Sequence, residues 1–534
     1  MRLLARILSG AILGIEAAPV WVEIDLAGGL PALNMVGLPD AAVRESRDRV
    51  RSAIQNSGFS FPPRRITVNL APAHLRKEGT ALDLPVAIGI LAGAGTLRPE
   101  RAEGLFFAGE LSLDGAIRPV KGAISLALAA KAAGCRGIVL PEAVAPEASV
   151  VQGIAVHPVR SLAQVVAFLA GDEAIDPLPP PAYAPEDSAW EGEEDLRDVA
   201  GQAAARRALE VCAAGGHNLL LVGPPGAGKT MLARRMPGIL PPLSLEEAIE
   251  TTRIYSAAGL GSTAAATQGA LIQRRPFRAP HHSISGPGLA GGGLVPRPGE
   301  VSLAHHGVLF LDELPEFRRG ALEVLRQPME EGKVVINRSL LTLELPARFM
   351  LVAAMNPCPC GHLGSAGREC ACTPHQIQSY RARVSGPLLD RFDIHLEVRR
   401  LAARELEAWS TAGAPGNGEP ESSGAVRRRI LQARARQCRR LASSGPCGPS
   451  GPANRCNAAL QPAQIREHCR LDETGRKLLR AAVDRLGLSA RAYHRILKVA
   501  RTIADLAEEE RIDVAHLGEA IQYRLLDRIE PASH

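Results

Sequence analysis

The chain has 534 residues, too many for a single hydrophobic core, so about three structural units are expected. With 46% hydrophobic and 22% charged residues and a net charge of +6, it has the balance of a water-soluble globular protein, one that permits a nucleic-acid partner without demanding it. No run reaches the ~18 uninterrupted apolar residues of a membrane span, and Arg6 and Glu16 interrupt the apolar start that would imitate an export signal. The expected compartment is the cytoplasm, with no membrane partner, and there the ten cysteines are expected to be reduced or metal-bound.

Residues 1–170 combine alternating strands, such as Ile66-Thr67-Val68-Asn69-Leu70, with helical stretches such as Asp40 to Ser57, the pattern of an α/β unit. Residues 171–197 read as an acidic, proline-rich linker: ten acidic residues stand against one arginine between Asp172 and Asp198. A third stretch, 198–405, places a series of motifs at strand ends.

The first is Gly223-Pro224-Pro225-Gly226-Ala227-Gly228-Lys229-Thr230, a complete P-loop pattern between an apolar strand (Asn218 to Val222) and a helical run (Met231 to Met236). Glycines let backbone N–H groups converge on phosphate at a helix N-terminus. Lys229 then supplies charge to the β- and γ-phosphates of ATP, and Thr230 a ligand to Mg²⁺. About eighty residues on, the apolar strand Val308-Leu309-Phe310-Leu311 ends in Asp312 and Glu313. Asp312 suits the Mg²⁺ shell and Glu313 suits polarising the attacking water. Lys333 to Pro346 reads as a hairpin with its turn at Asn337-Arg338-Ser339. The strand Phe349 to Met355 ends at Asn356, whose amide could orient that water. Next, Cys358-Pro359-Cys360 and Cys370-Ala371-Cys372 form two close pairs suited to a tetrahedral Zn²⁺ site, with His362 and His375 as possible substitutes. Residues 406–457 form a variable basic segment, two Gly/Pro/Ser-rich patches around an acid-free helical stretch bearing Arg427, Arg428, Arg429, Arg434, Arg436, Arg439 and Arg440. Residues 458–534 form a helical unit in which Ser489 reads as an N-cap before the stripe Ile496, Val499, Ile503 and Leu506.

These motifs, in this order, resemble AAA+ ATPases related to the magnesium-chelatase I subunit. Nearly the whole chain resembles the YifB/ComM group. The match is carried by Arg275-Pro276-Phe277-Arg278-Ala279-Pro280-His281-His282-Ser283, Met355-Asn356-Pro357-Cys358-Pro359-Cys360-Gly361, Ser385-Gly386-Pro387-Leu388-Leu389-Asp390-Arg391-Phe392-Asp393 and Ser489-Ala490-Arg491-Ala492-Tyr493-His494-Arg495-Ile496.

The resemblance implies an AAA+ P-loop core with a helical C-terminal lid, and a homo-hexamer. Within it Arg391 would act in trans on the neighbour's γ-phosphate, and Arg491 would be the lid arginine that senses nucleotide. It also implies that residues 259–306, with Arg274, Arg275 and Arg278, line a pore. Six copies of Lys333 and Arg338 would make the hairpin a positive channel for DNA, single-stranded or branched. Residues 1–170 are similar to the Lon-protease and ribosomal S5 fold through Lys77 to Pro85 and Pro119 to Gly122. The protease serine position holds Ala81 and the dyad lysine's place falls on Ile124, so this unit is expected to be catalytically silent. The function implied is an ATP-dependent helicase promoting branch migration in homologous recombination during natural transformation. Two alternatives are a chelatase-like motor and an ATP-switched assembly scaffold.

Overall fold

The computed structural model describes residues 4–77, 79–181, 183, 194–260, 271–292, 297–338, 341–364, 368–402, 405, 421–442 and 456–524. Much of the linker, both flanks of the basic segment, parts of the 259–306 stretch and the hairpin tip at 339–340 therefore lie outside the described residues.

In the N-terminal part, strand Arg65–Ala71 alternates: Ile66, Val68 and Leu70 are fully buried while the residues between them face outward. It belongs to a seven-stranded mixed sheet in the order Ala32–Val36, Arg65–Ala71, Glu16–Ala27, Leu4–Leu13, Leu105–Phe107, Gly137–Pro141, Ala155–Val159. Helix Ala41–Asn56 begins where the Asp40 carboxylate accepts the Val43 N–H at 2.8 Å. Helix Asp83–Gly93 is buried along its whole length. Lys77 is also fully buried, its ammonium donating to Gly37 O at 3.0 Å and to Pro72 O. Ile124 is buried in apolar surroundings, so neither it nor Ala81 offers a proton-transfer group.

The second part is built on five parallel strands in the order Phe277–Arg278, Val308–Leu311, Met350–Met355, Leu219–Val222, Ile394–Glu397. The three central strands are almost wholly apolar, as strands covered on both faces must be. Their common direction puts Gly223, Asp312 and Asn356 at one edge of the sheet, and Asn218, Gly307 and Asp393 at the other.

Helices Pro462–His468, Glu473–Leu486, Ala490–Leu506 and Val514–Gln522 make the C-terminal unit. Ser489 caps the third by accepting the Ala492 N–H at 3.2 Å. The helical stretch expected inside the basic segment is helix Ser423–Ala442, and it is an integral element of the core. Val426, Ile430, Ala433 and Leu441 join the same buried cluster as the P-loop strand and the C-terminal helices. Its arginines have specific partners: Arg427 donates to Gly238 O at 2.9 and 3.1 Å, and Arg440 pairs with Asp505 at 2.6 Å.

The N-terminal sheet docks directly on this second part. The Gly122 N–H donates to Ser256 Oγ at 3.1 Å, and that hydroxyl donates to Glu147 at 2.8 Å. Ile15, at the turn between the first two strands, shares an apolar cluster with Val334, Ile336, Leu343 and Leu345 of the hairpin.

Candidate functional site

One edge of the parallel sheet gathers five of the residues singled out from the sequence. Strand Leu219–Val222 runs into the P-loop and helix Lys229–Arg234 follows it. Gly223 is required by close approach, since a Cβ there would lie 2.1 Å from Val398 O. Lys229 Nζ donates to Gly223 O (2.6 Å), Pro224 O (3.0 Å) and Asn356 Oδ1 (3.0 Å). Burial draws this ammonium below its usual range, while the charges of Asp312 and Glu313 oppose the shift. Thr230 Oγ1 donates to Asp312 Oδ2 at 2.6 Å, so the two groups expected to share Mg²⁺ already meet. The donor set, one hydroxyl and one carboxylate beside a phosphate cradle, fits that hard cation. Glu313 stands half-exposed with a left-handed backbone (φ 53°), a conformation that costs a non-glycine residue about 1–3 kcal/mol and clusters at functional sites.

The opposite edge holds the two remaining arginines. A cleft of about 1170 Å³ opens between the sheet and the C-terminal helices, lined by Asn218, Arg391, Asp393, Arg491 and Arg495 among others. Arg391 is largely buried, held by Glu330 and by Pro387 O, and Asn218 Nδ2 donates to its carbonyl at 3.1 Å. Arg491 is exposed at the mouth of the same cleft. Neither arginine stands at the P-loop edge.

The cationic residues expected in a pore have mixed placements. Arg275 donates to Pro241 O at 2.6 Å and His306 O at 2.7 Å and pairs with Glu247 at 3.0 Å; Arg278 pairs with Glu300 at 2.6 Å. Both guanidinium groups are thus engaged inside the subunit, and Arg274 is half-buried on the same segment. The hairpin is present as Lys333–Arg338 paired with Leu341–Pro346. Its first strand continues through Arg338, which faces Leu341, so Asn337 and Arg338, expected in the turn, belong to the strand instead. The Arg338 side chain lies outside what is described. Lys333 is at the hairpin base, paired with Glu344 at 3.0 Å. The four cysteines converge, their sulfurs all within 4.8 Å of one another.

Three features escaped sequence reasoning. His282 Nδ1 lies 3.2 Å from Glu313 Oε2, with the ring edge-on to Phe317. Buried Asp393 accepts the Asn218 N–H at 3.0 Å and pairs with Arg495 at 2.9 Å, joining the sheet to helix Ala490–Leu506. Burial pushes its carboxyl up, but Arg495 and His217 prevail and hold it well below the usual carboxylate range. Gln202 Nε2 donates to Arg399 O at 2.8 Å and Ala227 O at 3.3 Å, tying the preceding turn to the P-loop. The only signal for the first two was that His282 and Asp393 fall inside strings already singled out for the resemblance.

Comparison with known proteins covers most of the chain. The family described as magnesium chelatase, subunit ChlI, matches residues 195–406, a second ChlI description matches 22–144, and the ChlI C-terminal description matches 420–524. The chain is 46% identical over 527 residues to the protein YifB of Salmonella typhimurium, covering 98% of each. It is 44% identical over 532 residues to the competence protein ComM of Haemophilus influenzae, again covering 98% of each. A more distant similarity, 23% over 336 residues, covers 60% of this chain and 38% of the DNA replication licensing factor mcm7 of Schizosaccharomyces pombe.

Proposed function

The chain belongs to the YifB/ComM family of magnesium-chelatase-related AAA+ ATPases, and we propose that it works as a homo-hexameric, ATP-driven translocase on DNA, promoting branch migration in homologous recombination. The observation that carries the reading is the separation of two half-sites. Lys229, Thr230, Asp312, Glu313 and Asn356 stand at one edge of the sheet, and Arg391 and Arg491 at the other. A subunit built this way completes no ATP site alone. A head-to-tail ring brings one subunit's cleft to its neighbour's phosphate edge.

In such a site the backbone of the P-loop and Lys229 would hold the phosphates, and Thr230 and Asp312 would hold a Mg²⁺ ion, which would supply charge neutralisation there. Glu313, freed from His282, orients a water for in-line attack, and Asn356 fixes that water's position. Arg391 from the next subunit meets the charge that develops on the equatorial oxygens, with Arg491 entering from the same side.

DNA as the track is supported by two relatives whose names concern competence and DNA replication, and by the two-stranded hairpin that follows Asp312 and Glu313. With Arg275 and Arg278 in internal pairs, Arg338 and the hairpin are the better candidates for contacting phosphates. A second reading, a motor for inserting metal into a porphyrin, is favoured by the ChlI family description. ATP turnover measured alone and with single-stranded, double-stranded and four-way-junction DNA separates the two. Stimulation by DNA, strongest with the junction, is expected; turnover indifferent to every DNA would leave an ATPase and remove the track.

A further inference from the structure

We propose that Cys358, Cys360, Cys370 and Cys372 bind one zinc ion as a tetrathiolate knuckle, and that this knuckle braces the P-loop at Pro225. The first half rests on sulfur geometry. Cys358 and Cys360 sulfurs are 3.4 Å apart, Cys358 and Cys370 3.6 Å, and Cys360 and Cys370 3.6 Å. A tetrahedral zinc with Zn–S bonds of about 2.3 Å requires sulfurs about 3.8 Å apart along every edge. A disulfide would bring two sulfurs to about 2.05 Å and leave the other pair without a reason to converge. Backbone N–H groups also point at the sulfurs: Cys360 N donates to Cys372 Sγ and Leu363 N to Cys358 Sγ, each at 3.4 Å, as befits ligating thiolates. Among the described residues the other free thiols, including Cys135, Cys212 and Cys438, join no such cluster.

The stretch itself calls for a staple. From Pro357 to Thr373 the described residues form neither helix nor strand, and only Pro357, Cys358 and Gly361 among them are buried. No apolar core can hold such a loop, whereas a metal with four thiolates can. Its inner side is the phosphate site. Gly361 adopts φ +82°, and a Cβ there would lie 2.6 Å from Pro225 Cδ. Asn356 immediately precedes the loop, and Arg381 grips Pro357 O at 3.1 and 3.2 Å from helix Pro374–Arg381, whose N-cap Thr373 directly follows Cys372. The knuckle thus sits between the P-loop, Asn356 and the chain leading to Arg391.

The bracing role rests on the ATP-site reading; the metal itself does not. The experiment is elemental analysis of freshly purified full-length protein prepared without chelator, together with the optical spectrum after exchange to Co²⁺. About one zinc per chain and the intense thiolate-to-cobalt bands of a four-sulfur tetrahedral site are expected. Cys370→Ser should lose the metal and Cys438→Ser keep it. Zinc-free protein, or zinc retained by Cys370→Ser, overturns the site. Should Cys370→Ser fail to fold, the metal count and cobalt spectrum of the unsubstituted chain decide the question. Gly361→Ala should keep zinc yet bind nucleotide about tenfold more weakly, because a strained backbone and a displaced Pro225 distort the loop. Unchanged nucleotide affinity with zinc in place overturns the bracing. Zinc present in a chain that never turns over ATP would sink the ATP reading and leave the metal site standing.

Discussion

Replacing Arg391 by Ala should abolish turnover in a ring of identical subunits while leaving ATP binding intact. The reason is depth. The P-loop strand spans four residues, Leu219–Val222, and at about 3.3 Å per residue it separates the two sheet edges by about 13 Å before the loops are added. Arg391 and its partners Glu330 and Pro387 belong to the far edge, beyond reach of their own γ-phosphate. A finger arginine supplied in trans contributes a factor of about 10³ to 10⁵ in kcat. The Lys229→Ala chain has the complementary defect: it cannot hold nucleotide but still carries Arg391. In rings assembled from equal amounts of the two inactive chains, a site works when an Arg391→Ala subunit receives its finger from a Lys229→Ala neighbour. Random mixing makes that about one site in four, so mixed rings should recover up to about a quarter of normal turnover. The assay is steady-state phosphate release across a mixing series, with assembly checked by sedimentation. Assembled mixed rings without any recovery would refute action in trans. An Arg391→Ala chain with normal turnover would remove the residue from the chemistry.

Three further expectations follow from the same geometry. Glu313→Gln should bind ATP and form rings but hydrolyse at a rate lower by about two to four orders of magnitude, since a general base is removed; normal turnover would contradict that assignment. His282→Ala should raise turnover in the absence of DNA about fivefold, because a charge-assisted contact worth about 1 kcal/mol no longer restrains Glu313; a fall in turnover would make His282 a helper instead. Asp393→Asn should destabilise the fold by about 3–5 kcal/mol at pH 7 by leaving Arg495 without its buried counter-charge, read as a lower melting temperature. The sign in acid is fixed by the depressed folded-state pKa: this stabilisation is present above the ordinary carboxylate range and is lost as pH falls through the depressed value, so the variant should show a shallower acid-side loss than the parent.

That Lys229, Thr230, Asp312 and Asn356 gather at one edge is legible in the sequence because its parts are local. A P-loop is eight consecutive residues, and Asp312 and Asn356 each terminate an apolar strand, so parallel packing alone brings them together. Helix Ala41–Asn56 and the Ser489 cap were readable for the same reason, since one short segment carries the whole signal. What the sequence hid depends on pairing at a distance. Arg275 and Arg278 look like free cations until Glu247 and Glu300 fold against them. Asn337 and Arg338 belong to the strand and not to a turn because the register is decided by cross-strand partners, Asn337 with Thr342 and Arg338 with Leu341, and not by polarity. The arginine-rich stretch reads as a helix, but that helix Ser423–Ala442 belongs to the core does not show, because its charges dominate the composition and its buried stripe of Val426, Ile430 and Ala433 is small. Asp393 and Arg495 are 102 residues apart, and no local pattern announces that contact.

The N-terminal domain gains its meaning from what it touches. Its contact with the ATPase core is built like an interior. The Gly122 N–H, the Ser256 hydroxyl and the Glu147 carboxyl form a buried chain, and burial pushes the Glu147 carboxyl up. Separating the domains would exchange those two hydrogen bonds for bonds to water, a net loss of about 0.5–1.5 kcal/mol each. The same movement would expose Leu243, Ala248 and Leu271, which lie in one apolar cluster with Phe106, Ile124 and Leu126. Independent swinging of the two domains is therefore disfavoured. The hairpin inherits that constraint. Ile15 packs among Val334, Ile336 and Leu343, and Leu343 lies directly over Gly14. Helix Leu245–Ala258, which carries Ser256, also contributes Ile254 and Tyr255 to the hairpin's cluster. A displacement of the hairpin during the ATP cycle must accordingly either carry the first strand turn of the N-terminal domain with it or break an apolar contact.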